Sequence, residues 1–470
     1  MGAIPLPLTS LPGVKPQEGK GRLVNCYAEK HGDSVIIRGA PGLRQILDIT
    51  GRTHCRGFIE VNGTLFVCLD TRLYTVTQSG GVFTAVDRGA VGGTDQVTFA
   101  RNNKQPSPDI CLVASSVAYQ CFISANIAAW PDADVGSPNS VTSISGYFIW
   151  TYGDGKFRNS GLNDTTINTL DYATAESRPD TLYRGIPLGN DLLLFGSQTV
   201  EAWRNAGNAN GSPFDYVTTI PRGLAGPFAV AGWEDGFANT IIWVGDDNVV
   251  YRKNGYGADR ISTHPIERDI QELADKATLQ AGVFMLAGHA FWALSSPAWT
   301  WVYDITTGGW HERQSSGSRW RASCFIKAFG SWVAGDVATG KLYQVDETYF
   351  RDGAVEISGL IETDAVKEFP SPFRVSRLYV DATKATGRAA GEDPIQTEPQ
   401  CGVSWSRDGG YSWATPVLRG FGAQGESRRR MAVNELGTAA PEGFKVRLSW
   451  STPSHVAFNS LSAEFVKLRA

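Results

Sequence analysis

The sequence predicts an all-β protein: a β-propeller-like domain of about seven blades with one inserted helix, followed by a C-terminal antiparallel β-sandwich. The first observation is a recurring unit of short apolar strands separated by Gly, Asp and Asn turns, repeated every 40 to 52 residues. A period of this length with about four strands per unit is typical of propeller blades. The second observation is the distribution of glycine and proline. The 52 glycines and 23 prolines separate the apolar runs without forming low-complexity tracts, as expected for many strands and turns. The third is the period-2 alternation of the last 120 or so residues, which indicates a sandwich.

Seven repeat units can be laid out, and together they predict a propeller over residues 51–350. A single four-stranded blade cannot bury both of its faces, so neighbouring units must stack and the ring must close. The units begin at Gly57, Val97, Thr142, Leu182, Ala229, Ala281 and Cys324.

The longest interval between units contains a segment with helical spacing. Ile266, Ile270, Leu273 and Ala277 recur at i, i+4, i+7 and i+11 behind Pro265. Proline at a first helical position and acidic residues in the first turn favour a helix start. The spacing predicts one helix over 265–277, inserted between the fifth and sixth blades.

The two ends of the chain differ from the repeats. Residues 1–50 are predicted to form an N-terminal arm and a strand that closes the propeller. Residues 351–470 alternate apolar and polar side chains in four runs, which predicts the C-terminal β-sandwich. The runs are 375–380, 402–405, 444–450 and 461–466.

Composition excludes several classes of function. The formal net charge is −4, whereas a protein that holds nucleic acid tightly needs a basic excess to neutralise phosphates. Seven cysteines without a C-x-x-C pair favour free thiols in a reducing compartment. The sequence predicts no membrane span and no secretory signal, so synthesis and folding in a cytoplasm are expected. Six scattered histidines lack zinc spacing, so no metal and no cofactor is predicted.

One motif in the C-terminal part is specific. Ser406, Asp408, Gly410 and Trp413 fit the pattern S-x-D-x-G-x-[ST]-W, which resembles the Asp-box hairpin of sialidases and other β proteins. In such a turn the Asp and Ser side chains bind backbone amides and glycine permits a positive φ. A single copy outside the propeller favours a structural turn. A glycosidase would also need two carboxylates facing one pocket.

The middle of the chain carries a pattern of short motifs within about 70 residues. They are Gly146-Tyr147, Ala175-Glu176-Ser177-Arg178-Pro179-Asp180, Phe195-Gly196-Ser197-Gln198-Thr199 and Glu201-Ala202-Trp203. This pattern resembles the tail accessory factors, or packaged-DNA stabilisation proteins, of short-tailed double-stranded-DNA bacteriophages. The residues that carry the resemblance are Glu176, Pro179, Asp180, Gly196 and Trp203, and a structural role is expected for them. Weaker matches lie at Val24-Asn25 and Pro41-Gly42-Leu43.

The resemblance implies a virion structural protein of the tail, assembled in the host cytoplasm. Its partners would be other copies of itself in a ring of six, the portal and adaptor proteins, a tail needle, and tailspikes or fibres. As a hub and plug it would retain packaged DNA only by blocking the channel, with no membrane contact. No catalytic residue transfers from the family, so an enzyme is not expected.

Two alternatives are open at the level of sequence. The chain could be a different β-propeller binding or scaffold protein, or a sialidase-like glycan-active enzyme. The aromatic cluster of Trp299, Trp301 and Trp310 could provide exposed anchors for a partner, or could be ordinary blade packing.

Overall fold

Seven four-stranded antiparallel sheets follow one another along the chain and form a ring. The structure, a computed structural model, describes residues 2–32, 34–175, 180–208, 211–389 and 394–468. First strands of neighbouring sheets lie against one another, and the first strands of the seventh and first sheets do so as well. This arrangement is a β-propeller, and the predicted fold class is confirmed. We number its sheets blade 1 to blade 7 in chain order.

The first and second strands of each blade form the inner half of the ring. The first strands are Cys55–Val61, Thr98–Arg101, Ser140–Ile144, Leu182–Leu188, Val230–Ala231, Gln280–Leu286 and Ala322–Ala328. The second strands are Thr64–Leu69, Ile110–Ala114, Tyr147–Thr151, Asp191–Gly196, Ile242–Val244, His289–Ser295 and Ser331–Asp336. Each predicted unit start lies within two residues of an observed first strand.

The third and fourth strands form the outer half. The third strands are Arg72–Ser79, Val117–Cys121, Lys156–Ser160, Val200–Asn205, Val250–Asn254, Thr300–Asp304 and Lys341–Asp346. The fourth strands of blades 1 to 6 are Val82–Ala90, Ala128–Ala129, Ile167–Thr174, Phe214–Ile220, Gly257–Arg260 and Gly309–Ser315.

The fourth strand of blade 7 comes from the other end of the chain. Gly42–Asp48, which we call the closing strand, pairs antiparallel with Lys341–Asp346. Its Leu43 is fully buried, whereas the next residue, Arg44, is exposed. The first and last parts of the propeller are therefore held in one sheet, and the ring is closed by strand pairing.

The inserted helix lies between blades 5 and 6, where the sequence places it, but it is shorter than predicted. It spans His264–Glu272, and Ile266 and Ile270 face the core. The chain leaves the helix at Leu273. A separate 3-10 turn, Lys276–Thr278, follows, and the Asp275 side chain caps it by accepting a hydrogen bond from the Ala277 amide. An Asp side chain that caps a new turn competes with continuation of the helix.

The tryptophans near this helix are packing residues and do not provide exposed anchors. Trp301 and Trp310 are 2% and 1% exposed. The indole nitrogen of Trp301 donates to Asp269 on the helix at 2.9 Å, and that of Trp310 donates to the Ile261 carbonyl at 2.8 Å. The anchor hypothesis is wrong for both residues, because their rings fill the space between the helix and blade 6.

The C-terminal part is a sandwich of two sheets, to which the N-terminal segment contributes strands. One sheet has the order Cys26–His31, Ser34–Gly39, Ala457–Lys467, Phe373–Ala382, Met431–Ala439, with Gly2–Ile4 also on Ala457–Lys467. The other contains Arg22–Val24, Gly359–Glu362, Lys445–Trp450, Gln400–Ser406 and Val417–Gly420. Side chains from both sheets form one buried cluster that includes Ile37, Phe373 and Leu448.

The sandwich and the propeller share a sheet. The outer strand of blade 6, Gly309–Ser315, pairs in parallel with Arg22–Val24, so ten strands form one continuous sheet. The remaining short elements are strands Ser318–Arg319, Arg351–Asp352 and Val355–Glu356, 3-10 turns Pro16–Glu18 and Ala133–Val135, and the helical turn Pro394–Thr397. Shared strand pairing makes the two parts of the molecule a single unit.

Candidate interaction surfaces

Two of the motif residues of the middle segment, Asp180 and Gly196, meet at one end of blade 4. The Asp180 carboxylate accepts hydrogen bonds from the amides of Gln198 and Thr199 at 2.8 and 3.0 Å. A Cβ on Gly196 would lie 2.5 Å from an Asp180 oxygen, so only glycine leaves room for this carboxylate. Glu176 and Pro179 lie outside the described residues.

Trp203 lies apart from this turn, between blades 3 and 4. Its ring packs edge-on against Phe157 of blade 3 at 5.1 Å, and its indole nitrogen donates to Glu201 at 2.9 Å. It is 8% exposed. The structure brings Asp180 and Gly196 together and uses Trp203 to pack one blade on the next.

The Asp-box residues form a closed turn between two strands of the sandwich. Ser406 Oγ lies 2.7 Å from both Asp408 Oδ1 and the Gly410 amide, and the Ser412 amide and hydroxyl both donate to Asp408. Gly410 has φ +107°, a conformation that favours glycine. Trp413 lies beneath the Arg447 guanidinium at 3.9 Å. These contacts fix the turn, and Pro16 of the N-terminal segment lies against it.

The Asp-box turn should make stability depend on pH. Burial opposes ionisation, but hydrogen bonds from Ser412 and Ser406 lower the pKa of Asp408 to about 2. A depressed pKa stabilises the folded state above the ordinary Asp pKa, and this contribution is lost as pH falls toward 2. The difference in Tm between the wild type and Asp408→Asn should therefore shrink by about half between pH 6 and pH 3. A difference that stays constant over this range would contradict the assignment.

A buried histidine–carboxylate pair in blade 6 is surrounded by groups that stabilise a turn. His289 Nδ1 lies 2.7 Å from Asp304, which also accepts from the Thr306 amide and the Thr307 hydroxyl. Burial opposes ionisation of Asp304, but the His289 hydrogen bond lowers its pKa below the ordinary range. Burial lowers the pKa of nearby His311 to about 3. These contacts hold the turn between two strands of blade 6.

Within the described ranges, no group of three or more His, Cys, Asp or Glu side chains could hold a metal ion. In that same part of the chain, no helix is long and apolar enough to cross a membrane.

Ion pairs hold the junction between the propeller, the closing strand and the sandwich. Arg22 of the sandwich donates to both carboxylate oxygens of Glu312 in blade 6, at 2.7 and 2.6 Å. Arg313, 1% exposed, donates to the Pro41 carbonyl at 3.0 Å and lies 3.7 Å from Asp352. The guanidinium of Arg313 also stacks on Trp320 at 4.4 Å. These pairs fix the orientation of the sandwich.

Exposed apolar side chains lie on the outer strands of blades 3 and 4 and in the loop before the outer strand of blade 3. They are Leu162, Leu170, Tyr172, Tyr216 and Val217, and we call this set the outer-edge patch. Leu170 is 76% exposed and Tyr216 is 52% exposed. Within the described residues, the outer strands of these two blades pair with no further strand. An open, apolar strand edge is a common contact site for another protein.

The sequence did not reveal this patch. Leu170 and Tyr172 alternate with polar residues, as any half-buried strand does. Which side of the strand faces solvent depends on its place at the rim of the ring. The only available signal in the sequence was the apolar character of a fourth strand. In blades 1 to 5, no further strand pairs with the fourth strand among the described residues.

Among solved structures the chain is similar to several at low sequence identity. These are the WD40 β-propeller domain of Doa1 (9% identity, TM-score 0.43, 65% of this chain and 98% of that one) and the computationally designed Ika8 protein (10%, 0.40, 73% and 100%). PorZ of Porphyromonas gingivalis is also similar (10%, 0.39, 72% and 44%). No curated protein matches.

A family model matches more than half of the chain. Residues 23–350 match the phage stabilisation family, described as bacteriophage P22 Gp10, β-propeller. The matched range includes all seven blades, the inserted helix and the closing strand.

Proposed function

This chain belongs to the phage stabilisation family of the bacteriophage P22 Gp10 β-propeller, and from that membership we propose that it is the hub and plug of a phage tail. The family makes it a virion-associated structural protein with a role in DNA stabilisation. In the proposed role it joins the portal–adaptor ring to the tail needle and the tailspikes or fibres, and retains packaged DNA. The match over residues 23–350 is the observation that carries the proposal.

The charge of the chain supports retention by blocking. With 43 basic and 47 acidic residues, the protein lacks the cationic excess that phosphate binding requires. A plug through which DNA must later pass should not bind phosphates strongly. We therefore propose a non-catalytic part that closes the exit by its position and its protein contacts.

The proposed ring requires a contact between copies of this chain, and we assign the outer-edge patch to it. Permanent assemblies commonly bury about 2,000–5,000 Å² per interface. Leu170 and Tyr216 are both exposed and lie on the outer strands of adjacent blades. The shared ten-stranded sheet supports a subunit in which the propeller and the sandwich move together as one body.

Leu170→Asp should impair ring assembly while leaving the monomer folded. An aspartate at a 76% exposed position costs little in the monomer but places an unpaired charge in a covered interface. We expect association to weaken at least about tenfold, measured by light scattering and native mass spectrometry with and without portal–adaptor complexes. Val117→Asp, at an exposed position in blade 2, is the matched control.

The hub role and the assignment of the outer-edge patch as the subunit contact are tested independently. Wild-type protein that remains monomeric and does not bind portal–adaptor complexes would exclude the hub. Wild-type rings together with normal rings of Leu170→Asp would keep the hub and exclude the outer-edge patch as its contact.

A further inference from the structure

The centre of the propeller contains a cavity whose chemistry the hub role does not use. Its volume is about 390 Å³, and residues from all seven blades line it. At roughly 30 Å³ per water molecule, it has room for about a dozen waters. It can therefore hold a side chain, a small acid or the end of a peptide, and it is too small for a DNA duplex.

Arg184, on the first strand of blade 4, presents an unused guanidinium to this cavity. Its carbon lies 5.0 Å from the Phe228 ring and 5.1 Å from the Trp233 ring. The buried Nε has no hydrogen-bond partner, and no residue in the described part of the chain accepts a hydrogen bond from this side chain. Burial lowers the pKa of Arg184 to about 10, so it is still cationic near neutral pH. Two aromatic rings hold the guanidinium in place, and its donors have no acceptor.

Glu234 is the acidic group whose charge acts on Arg184. Its carboxylate accepts the Gly232 amide at 2.6 Å and makes no hydrogen bond with Arg184. Burial raises the pKa of Glu234 to about 7, although backbone amides and Arg184 oppose the rise. A carboxyl group whose pKa is raised in this way can keep its proton near neutral pH and donate a hydrogen bond.

The other charged groups that line the cavity are Arg56, Glu60, Arg101, Asp235 and Lys327. Arg56 is already used, because its guanidinium donates to three backbone carbonyls. Glu60 accepts the Gly63 amide of its own hairpin. Arg184 is distinguished among the lining cations by its two aromatic neighbours and its buried, unpartnered Nε.

We propose that the central cavity binds a carboxylate, with Arg184 as its two-pronged donor and Glu234 beside it. A guanidinium matches the two oxygens of a carboxylate, and a carboxylic acid beside it can share its proton. Phosphate has a similar geometry but carries up to two negative charges, which Glu234 and Asp235 would repel. The same recognition applies to a small free acid and to the end or side chain of a polypeptide.

Binding is tested on the full chain with propionate, its neutral counterpart propionamide, and inorganic phosphate, followed through Trp233 fluorescence and calorimetry. Propionate should bind, propionamide should not, and phosphate should bind more weakly than propionate. Acetyl-trialanine with a free or an amidated carboxyl terminus separates the two sources. Binding of the free-acid peptide alone identifies a polypeptide ligand, and binding of propionate as well admits a small acid.

Arg184→Gln should weaken propionate binding at least about tenfold, whereas Arg204→Gln, at an exposed position on the third strand of the same blade, should leave it unchanged. Binding should weaken several-fold between pH 6 and pH 8 as Glu234 ionises, and Glu234→Gln should remove that dependence. If Arg184→Gln fails to fold, the acid–amide comparison and the Glu234→Gln pH profile decide. Equal binding of propionate and propionamide, tighter binding of phosphate, or no binding of either acid would overturn the proposal.

Discussion

Replacing Leu43 with aspartate should remove most or all of the stability of the propeller. Leu43 is fully buried in the closing strand, at the point where the N-terminal segment completes blade 7. The substitution removes an apolar side chain worth about 2–5 kcal/mol and adds a buried charge without a partner. Since a domain is stable by only about 5–15 kcal/mol, the free energy of unfolding should approach zero.

The matched control is Gln45→Asp, two residues away in the same strand. Gln45 is exposed, so the same new charge should change the free energy of unfolding by less than about 0.5 kcal/mol. Urea denaturation followed by circular dichroism measures both variants. Equal stabilities would show that residues 42–48 do not close the ring.

The second large effect is expected at the junction of blade 6, the closing strand and the sandwich. Asp352→Ala leaves the buried Arg313 without its carboxylate. Arg313 is 1% exposed, and two of its three guanidinium nitrogens already lack hydrogen-bond partners. Burial raises the pKa of Asp352, and the charge of Arg313 opposes that rise. Breaking a buried pair by removing one partner commonly costs about 3–5 kcal/mol, and we expect a loss of this size.

An exposed pair in blade 1 provides the comparison. Arg72 Nε and Asp87 Oδ2 form an ion pair at 2.5 Å, but both side chains are more than a third exposed. Asp87→Ala should therefore cost less than about 1 kcal/mol. The double variant Arg313→Met with Asp352→Asn should recover much of the loss, since it removes the uncompensated charge. A double variant less stable than Asp352→Ala would indicate that Arg313 acts mainly through its stacking on Trp320.

The propeller was predictable because its signal is local and repeated. Each blade carries its own turns and apolar strands, so the unit starts at Gly57 and Leu182 could be located without any long-range information. The Asp-box turn was predictable for the same reason, since Ser406, Asp408 and Ser412 contact one another within seven residues.

The remaining features depend on contacts between distant residues. Strand Arg22–Val24 pairs with strands from blade 6 and from the sandwich, and nothing in three residues indicates either partner. The burial of Trp301 depends on Asp269, 32 positions earlier. The isolation of Arg184 between Phe228 and Trp233 follows from the closeness of blades 4 and 5 at the centre of the ring. A single arginine in a strand gives no sign of such surroundings.

The Asp180–Gly196 contact shows what one family motif does physically. The two residues lie in separate motifs, yet the missing Cβ of Gly196 provides the space that the Asp180 carboxylate occupies. The carboxylate then binds the amides of the turn after the second strand of blade 4. The motif maintains the shape of one blade, and the proposed tail contacts lie on other surfaces.

The most direct test of the proposed hub is retention of DNA by filled phage heads. Heads that carry portal and adaptor but lack this chain should lose their DNA to added nuclease, and addition of the purified protein should make the DNA resistant. Leu170→Asp should protect poorly, and Val117→Asp should protect as well as the wild type. Heads that hold their DNA equally well with and without the protein would contradict the account.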